Sequence, residues 1–279
     1  ISSLVVWFCV PFLFFSNCSN SNFDKNITKS DLKSGLNLEL DDSAFNKIVE
    51  KRNNALEENL LIKTKADYVT GTINSNGKKI KVKTRLKGDH VDHFEGNRWS
   101  FRVITVDGKL LNHQKVSIQG VHTRAYISEW IYHKLLKEEG LINLQYEFFP
   151  FCVNDTLCGI YAFESHFDNY LLENSNRKYG PIFKFNEKDF WNFSKYAGEK
   201  NRDDLLMVNS KISLTNKKWV DKNSTTKKAK IILDNFRKGK INCKDIFDLK
   251  IWAKFTAINE LMAGDHGLRW HNLRFYYNP

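Results

Sequence analysis

The densest concentration of reactive side chains in this sequence lies in Leu261 to Pro279, LMAGDHGLRWHNLRFYYNP. Asp265, His266, Arg269, His271 and Asn272 bring together a carboxylate, two imidazoles, a guanidinium and a carboxamide. Asp265 with His266 and His271 could ligate zinc or iron, as in a metal-dependent hydrolase. Asp265 and Asn272 are instead oxygen donors, which suit Mg²⁺ with a phosphorylated substrate. A third alternative is that His271 and Asn272 only satisfy backbone groups of their own loop. The chain has neither a GxxxxGK[ST] nor a GxGxxG loop, so the usual phosphate cradles are missing. Phosphoryl transfer needs only a cation on the phosphates, a carboxylate to orient it and metal ligands on a loop. Arg98 or Arg102, Glu129, Glu164, Lys184, then Asp265 and Asn272 supply those types in chain order.

The elements that must position these groups are readable from periodicity. Phe45, Ile48, Val49, Arg52, Ala55 and Leu56 recur at helical spacing behind the capping candidates Asp41, Asp42 and Ser43. From Ala66 the period falls to two. Asp67 to Ile73 and Lys79 to Lys87 flank Ser75-Asn76-Gly77, a hairpin signal, with Ile80, Val82, Thr84 and Leu86 alternating with basic residues. Trp99 to Val106 reads as a strand, and Thr123 to Glu139 as a helix closed by Gly140, with Ile127, Trp130, Ile131 and Leu135 as its buried stripe. Gln145 to Val153 and Leu157 to Phe163 read as strands joined at Asn154-Asp155. Cys152 and Cys158 flank that turn and are candidates for a disulfide, the alternative being two small core residues. Asn186 to Lys230 reads as a polar insertion, and Ile246 to Leu261 as a long helix delivering the chain to Asp265.

Residues 1–18, opening ISSLVVWFCVPFLFF, have the apolar core of an export signal and are too short for a membrane span of about 20 residues. Cys18 stands where a lipidated cysteine would, so a lipid anchor, plain signal cleavage or an N-terminal anchoring helix is expected, each with an extracytoplasmic location at the cell envelope. Residues 19–35, rich in Ser, Asn, Asp and Lys, read as a flexible tether before a folded part over 36–279. The net charge of +11 suits an anionic partner without choosing among nucleotide, nucleic acid, acidic protein and membrane.

Five stretches together resemble successive blocks of the CotH kinase family of spore-coat and secreted proteins. They are RLKGDHVDHFEGNRWSFRV (Arg85 to Val103), TRAYISEWIYHKLLKEEG (Thr123 to Gly140), NDTLCGIYAFESHF (Asn154 to Phe167), GPIFKFNE (Gly180 to Glu187) and GDHGLRWHNLRFYY (Gly264 to Tyr277). The resemblance implies an α+β, atypical protein-kinase-like, two-lobed fold, ATP with Mg²⁺ or Mn²⁺ as cofactors, and phosphorylation of serine on a protein substrate. No nucleic-acid partner is expected, and membrane contact only through a lipid at Cys18. Carried over by position, Arg98, Arg102 and Lys184 become phosphate contacts, Glu129 the helix glutamate, Glu164 the hinge residue, Asp265 the catalytic base and Asn272 a metal ligand. Arg98 stands where the family often has lysine, and the two are not equivalent. The last acidic metal motif of the family is expected beyond Pro279, so the chain reads as incomplete at that end. The alternative function is a noncatalytic envelope or coat-assembly protein.

Overall fold

The computed structural model describes residues 26–156, 158–186, 210–216 and 224–279. The expected leader with Cys18, most of the expected tether and much of the polar insertion lie outside the described residues. Packing begins before Leu36. Ile27 is wholly buried and bridges to Leu110, and a 3-10 turn over Asp31–Ser34 buries Leu32.

Seven strands form the main body: β1 (Leu36–Glu39), β2 (Val69–Ser75), β3 (Lys78–Leu86), β4 (Phe101–Thr105), β5 (Lys115–Gly120), β6 (Tyr146–Val153) and β7 (Gly159–Glu164). They close into a barrel in the order β1-β2-β3-β4-β5-β7-β6. The two-lobed, kinase-like architecture implied by the resemblance is therefore corrected. The reason is the seam: β1 pairs antiparallel with β2 on one side and parallel with β6 on the other, joining the two edges of what would otherwise be an open sheet. A barrel has no free edge to cover, so its interior can be filled by alternate side chains of every strand. Ile80, Val82 and Leu86 of β3 point inward with Phe101, Val103, Ile118, Phe151, Tyr161 and Phe163, all buried.

Cys152 and Cys158 face each other across the β6–β7 hairpin and are disulfide-bonded. The hairpin tip lies on the seam. Asn154 N–H donates to the Leu38 carbonyl, and the Asn154 carboxamide accepts from Leu40 N–H and donates to the Leu40 carbonyl. The cross-link closes a short loop, for which chain entropy predicts about 2 kcal/mol. Cys152→Ser with Cys158→Ser should lower unfolding free energy by about that amount in a urea titration; an unchanged midpoint would mean that the Asn154 clamp holds the seam alone.

Helix α1 (Asp42–Glu57) is capped by Asp41, whose carboxylate accepts from Ala44 N–H, and buries Ala44 and Ile48 against the barrel. Helix α2 (Ser128–Glu138) starts later than its sequence pattern suggests, because Ala125 and Tyr126 both take left-handed backbone. The stripe shifts accordingly: His133 and Leu136 are buried, while Ile127 is exposed. After α3 (Asn169–Asn174), the smaller sheet β10-β8-β9 comprises β8 (Ile182–Phe185), β9 (Ile212–Leu214) and β10 (Phe275–Tyr276). Helix α4 (Thr225–Arg237) packs on it through Ala229 and Leu233, against Phe183, Phe185 and Ile212. Helix α5 (Leu249–Leu261) then leads to the short α6 (Asp265–Leu268). Among the described residues no helix is long and apolar enough to cross a membrane.

Candidate functional site

The outer face of the barrel carries a polar site that follows from strand register. Arg85 on β3 is opposite Arg102 on β4, Arg102 is opposite Ser117 on β5, and Ser117 is opposite Glu164 on β7. One step along, Lys87 N–H bonds to the Ser100 carbonyl, and Gln119 pairs with Ala162. Residues two apart on a strand share a face, so Lys87, Gln119 and Glu164 lie side by side. Ala162, being small, leaves the space they fill.

Glu164 is held on both oxygens. Ser117 Oγ donates to Oε1 at 2.9 Å, Gln119 Nε2 to Oε2 at 2.9 Å, and Lys87 Nζ reaches both at 3.3 Å while also donating to Gln119 Oε1. Burial alone would raise the Glu164 carboxyl, but Lys87, Arg124 and Arg102, with the Ser117 hydrogen bond, hold it well below the usual carboxylate range. Burial pushes the Lys87 ammonium down to about 8; Glu164 opposes this, and Arg124 and Arg102 add to it. Three cations thus surround one carboxylate in a water-poor setting, an arrangement suited to holding a further anion.

His93 lies beside them, buried, with Nδ1 3.2 Å from Ser100 Oγ. Burial first, then the Lys87 and Arg124 charges, push its imidazole down to about 2. The folded state therefore refuses a proton that the unfolded chain accepts near its ordinary value of about 6.5. Because the unfolded state binds more protons below that pH, stability should fall as pH drops from about 6.5, at up to about 1.4 kcal/mol per pH unit. His166, also held low by burial and neighbouring cations, acts with the same sign. Urea titrations between pH 7 and pH 4 should show a shallower acid limb for His93→Gln; the same slope in both proteins would contradict this role.

The Asp265 turn is coupled to this end through charge. His266 is depressed by burial and then by Arg124, which puts the turn within electrostatic reach of the cation that also acts on Glu164 and Lys87. Asn272 Nδ2 donates to the His266 carbonyl at 2.9 Å, which folds its carboxamide back onto the backbone of the turn. Asp265 itself is largely exposed, with Arg269 Nη2 4.0 Å from Oδ2. Asn272 Oδ1 and the Asp265 carboxylate are hard oxygen donors on one turn, the donor chemistry that Mg²⁺ takes together with substrate phosphates and water. Among the described residues no three His, Cys, Asp or Glu side chains converge as a metal group, so the zinc or iron alternative finds no support in the geometry.

The remaining sequence candidates separate. Arg102 stands in the Glu164 row. Arg98 lies elsewhere, packed on Gly159, whose parity is opposite to that of Glu164; a Cβ added at Gly159 would stand 3.1 Å from Arg98 Nε. Glu129 on α2 sits between Arg124 Nε at 4.0 Å and His133 Nε2 at 3.4 Å. Leu144 N–H donates to His133 Nδ1. Lys184 stands on the smaller sheet, opposite Ser213. Lys87, Gln119 and Arg124 were not singled out from the sequence. The available signal was Lys87 itself, the residue between β3 and Gly88 at the end of the row of basic residues that alternates with the apolar ones. No family model matches the chain, and no curated protein matches it.

Proposed function

We propose that this chain is an exported phosphotransferase that moves the γ-phosphoryl group of ATP, with Mg²⁺ or Mn²⁺, to serine hydroxyls of an extracytoplasmic protein. The observation that carries the reading is the buried Lys87–Glu164 pair, with Arg124 acting on it and the Asp265 turn coupled to it through charge. Phosphoryl transfer asks a protein mainly for positioning and charge stabilisation. Lys87, oriented by Glu164, would lie against the phosphates, with Arg124 as a second positive charge. Asp265, exposed at the rim, would accept the proton of the incoming serine hydroxyl. Asp265 and Asn272 are the residues that would hold the metal, which supplies neutralisation of phosphate charge when bound. The five blocks that resemble the CotH kinase family support the same reading, and the disulfide suits an oxidising compartment. The barrel does not oppose it, since chemistry resides in sites rather than folds.

A noncatalytic envelope protein is the second reading, favoured by one observation. The Lys87 ammonium already donates to Glu164 and Gln119, so a phosphate must compete for it.

The test is transfer of label from γ-labelled ATP, with Mg²⁺ or Mn²⁺, by the full-length protein to a serine-rich acceptor. Lys87→Met and Asp265→Asn should each lower transfer at least 100-fold. Absence of label together with absence of a metal-dependent thermal shift by ATP would leave the noncatalytic reading.

A further inference from the structure

The two sides of the barrel wall differ in what covers them. Outside β6 and β7, Tyr146 and Ala162 are buried and pack with Trp130 of α2 and with Phe148. Outside β2, β3 and β4 the register lays out a different surface. Thr72 is opposite Lys81, and the row continues on β4 with Val106, whose N–H donates to the Lys81 carbonyl. In the next row Thr70 is opposite Lys83, and Lys83 is opposite Ile104. Residues two apart on a strand share a face. Ile80, Val82 and Thr84 of β3 turn inward and are buried, while Lys79, Lys81, Lys83 and Thr70 are exposed. Val106 is 53% exposed and Ile104 half-buried.

Charge on this surface is not balanced within the chain. Glu39 is engaged by Lys79 Nζ at 3.3 Å and by Asn74 Nδ2 at 2.9 Å. Asp107 turns Oδ1 to the backbone N–H of Lys81. The Lys81 and Lys83 ammonium groups have no hydrogen bond or ion pair among the described residues. Two residues of strand hold their stems about 7 Å apart, so both can meet one anionic surface at once. The kind of surface is selected by the apolar pair. Ile104 and Val106 project outward directly beside Lys83 and Lys81. A water-soluble polyanion would take the lysines and gain nothing from these two side chains. The boundary of an anionic bilayer takes both, with ammonium groups at the headgroups and apolar side chains at the acyl edge.

We infer that the outer face of β2, β3 and β4 docks peripherally on a bilayer that carries anionic phospholipid, through Lys81, Lys83, Ile104 and Val106. The contact is made by the folded barrel and not by the leader, so it fixes which side of the barrel faces the membrane. It does not depend on phosphoryl transfer at Lys87.

Sedimentation of the full chain with vesicles of equimolar phosphatidylcholine and phosphatidylglycerol, beside vesicles of phosphatidylcholine alone, tests the face. The protein should partition more strongly onto the anionic vesicles, and added salt should abolish the excess. A basic residue near such a surface is worth about fivefold in partitioning, so Lys81→Gln with Lys83→Gln should lower it about 25-fold. Val106→Ser should lower it a few-fold and Val106→Phe should raise it, which charge alone would not do. Lys227→Gln with Lys228→Gln removes the same charge from exposed positions on α4 and should leave partitioning nearly unchanged. All of these positions are exposed, so the melting temperatures should stay together. Equal partitioning onto the two kinds of vesicle, or an equal loss from the α4 pair, would overturn the proposal. Binding to dextran sulfate that matches binding to the anionic vesicles, with Val106→Ser without effect on either, would overturn it in favour of a soluble polyanion.

Discussion

Glu164→Gln should destabilise the protein by about 3–5 kcal/mol, the usual cost of breaking a buried ion pair from one side. Lys87→Met should cost less, roughly 1–3 kcal/mol. The asymmetry comes from the charge count at the site. Glu164 is the carboxylate that Lys87, Arg102 and Arg124 share, and Arg124 also has Glu129 at 4.0 Å, so loss of Glu164 strands Lys87 and Arg102 beside each other, whereas loss of Lys87 leaves Glu164 with two cations and with the Ser117 and Gln119 hydrogen bonds. The double variant should be more stable than Glu164→Gln alone, since it removes one of the stranded charges. The cost of Glu164→Gln should also shrink above about pH 8, where Lys87 of the parent protein is itself losing its proton. Urea unfolding of the four proteins at pH 7 and pH 9 measures these differences. Equal destabilisation by the two single variants would refute the charge count and, with it, the view of this face as an anion-seeking site.

How far the sequence revealed this arrangement differs from element to element, for physical reasons. The β2–β3 hairpin was legible because Asn76 and Gly77 both adopt positive φ at the turn and the strands on either side alternate. The Asp41 cap and the Cys152–Cys158 pairing were legible because both depend on contacts only a few residues apart. Barrel closure was not. It rests on Leu36–Glu39, a four-residue strand directly after the stretch read as tether, pairing in parallel with a strand far along the chain. Non-local pairing of so short a segment leaves no periodic trace. The site was hidden for the same reason. Lys87 looks like the last of a row of basic residues until the β3–β4–β5–β7 register places Gln119 and Glu164 beside it. Arg98 and Arg102 both looked like phosphate contacts, but the barrel separates them, one packed on Gly159 and the other beside Glu164. Asp265 and Asn272 were legible as a pair because one short turn contains both, closed by the bond from Asn272 to the His266 carbonyl.

Gly88→Ala should be nearly as damaging as loss of Glu164, although it removes no interaction. Gly88 follows Lys87 directly and holds φ at +102°, a region that L side chains rarely adopt. A Cβ at this position would stand 2.3 Å from Cγ of His93 and 2.4 Å from its Cβ and Cδ2. The His93 ring cannot swing away without cost, because it is buried and set against Ser100. Backbone strain of about 1–3 kcal/mol and overpacking of a similar size add to roughly 3–5 kcal/mol. Gly77→Ala is the internal control. Gly77 also has positive φ, +77°, but an added Cβ would meet nothing within 4 Å, so only the strain remains, about 1 kcal/mol. Thermal unfolding of the two variants side by side separates clash from strain, and equal losses would contradict the close approach of Gly88 to His93. The chain can relieve that clash only by moving the end of β3, which carries Lys87 away from Glu164. On the proposed function, Gly88→Ala should therefore lose phosphoryl transfer even at temperatures where it remains folded, while Gly77→Ala, at the opposite end of β3, should keep it.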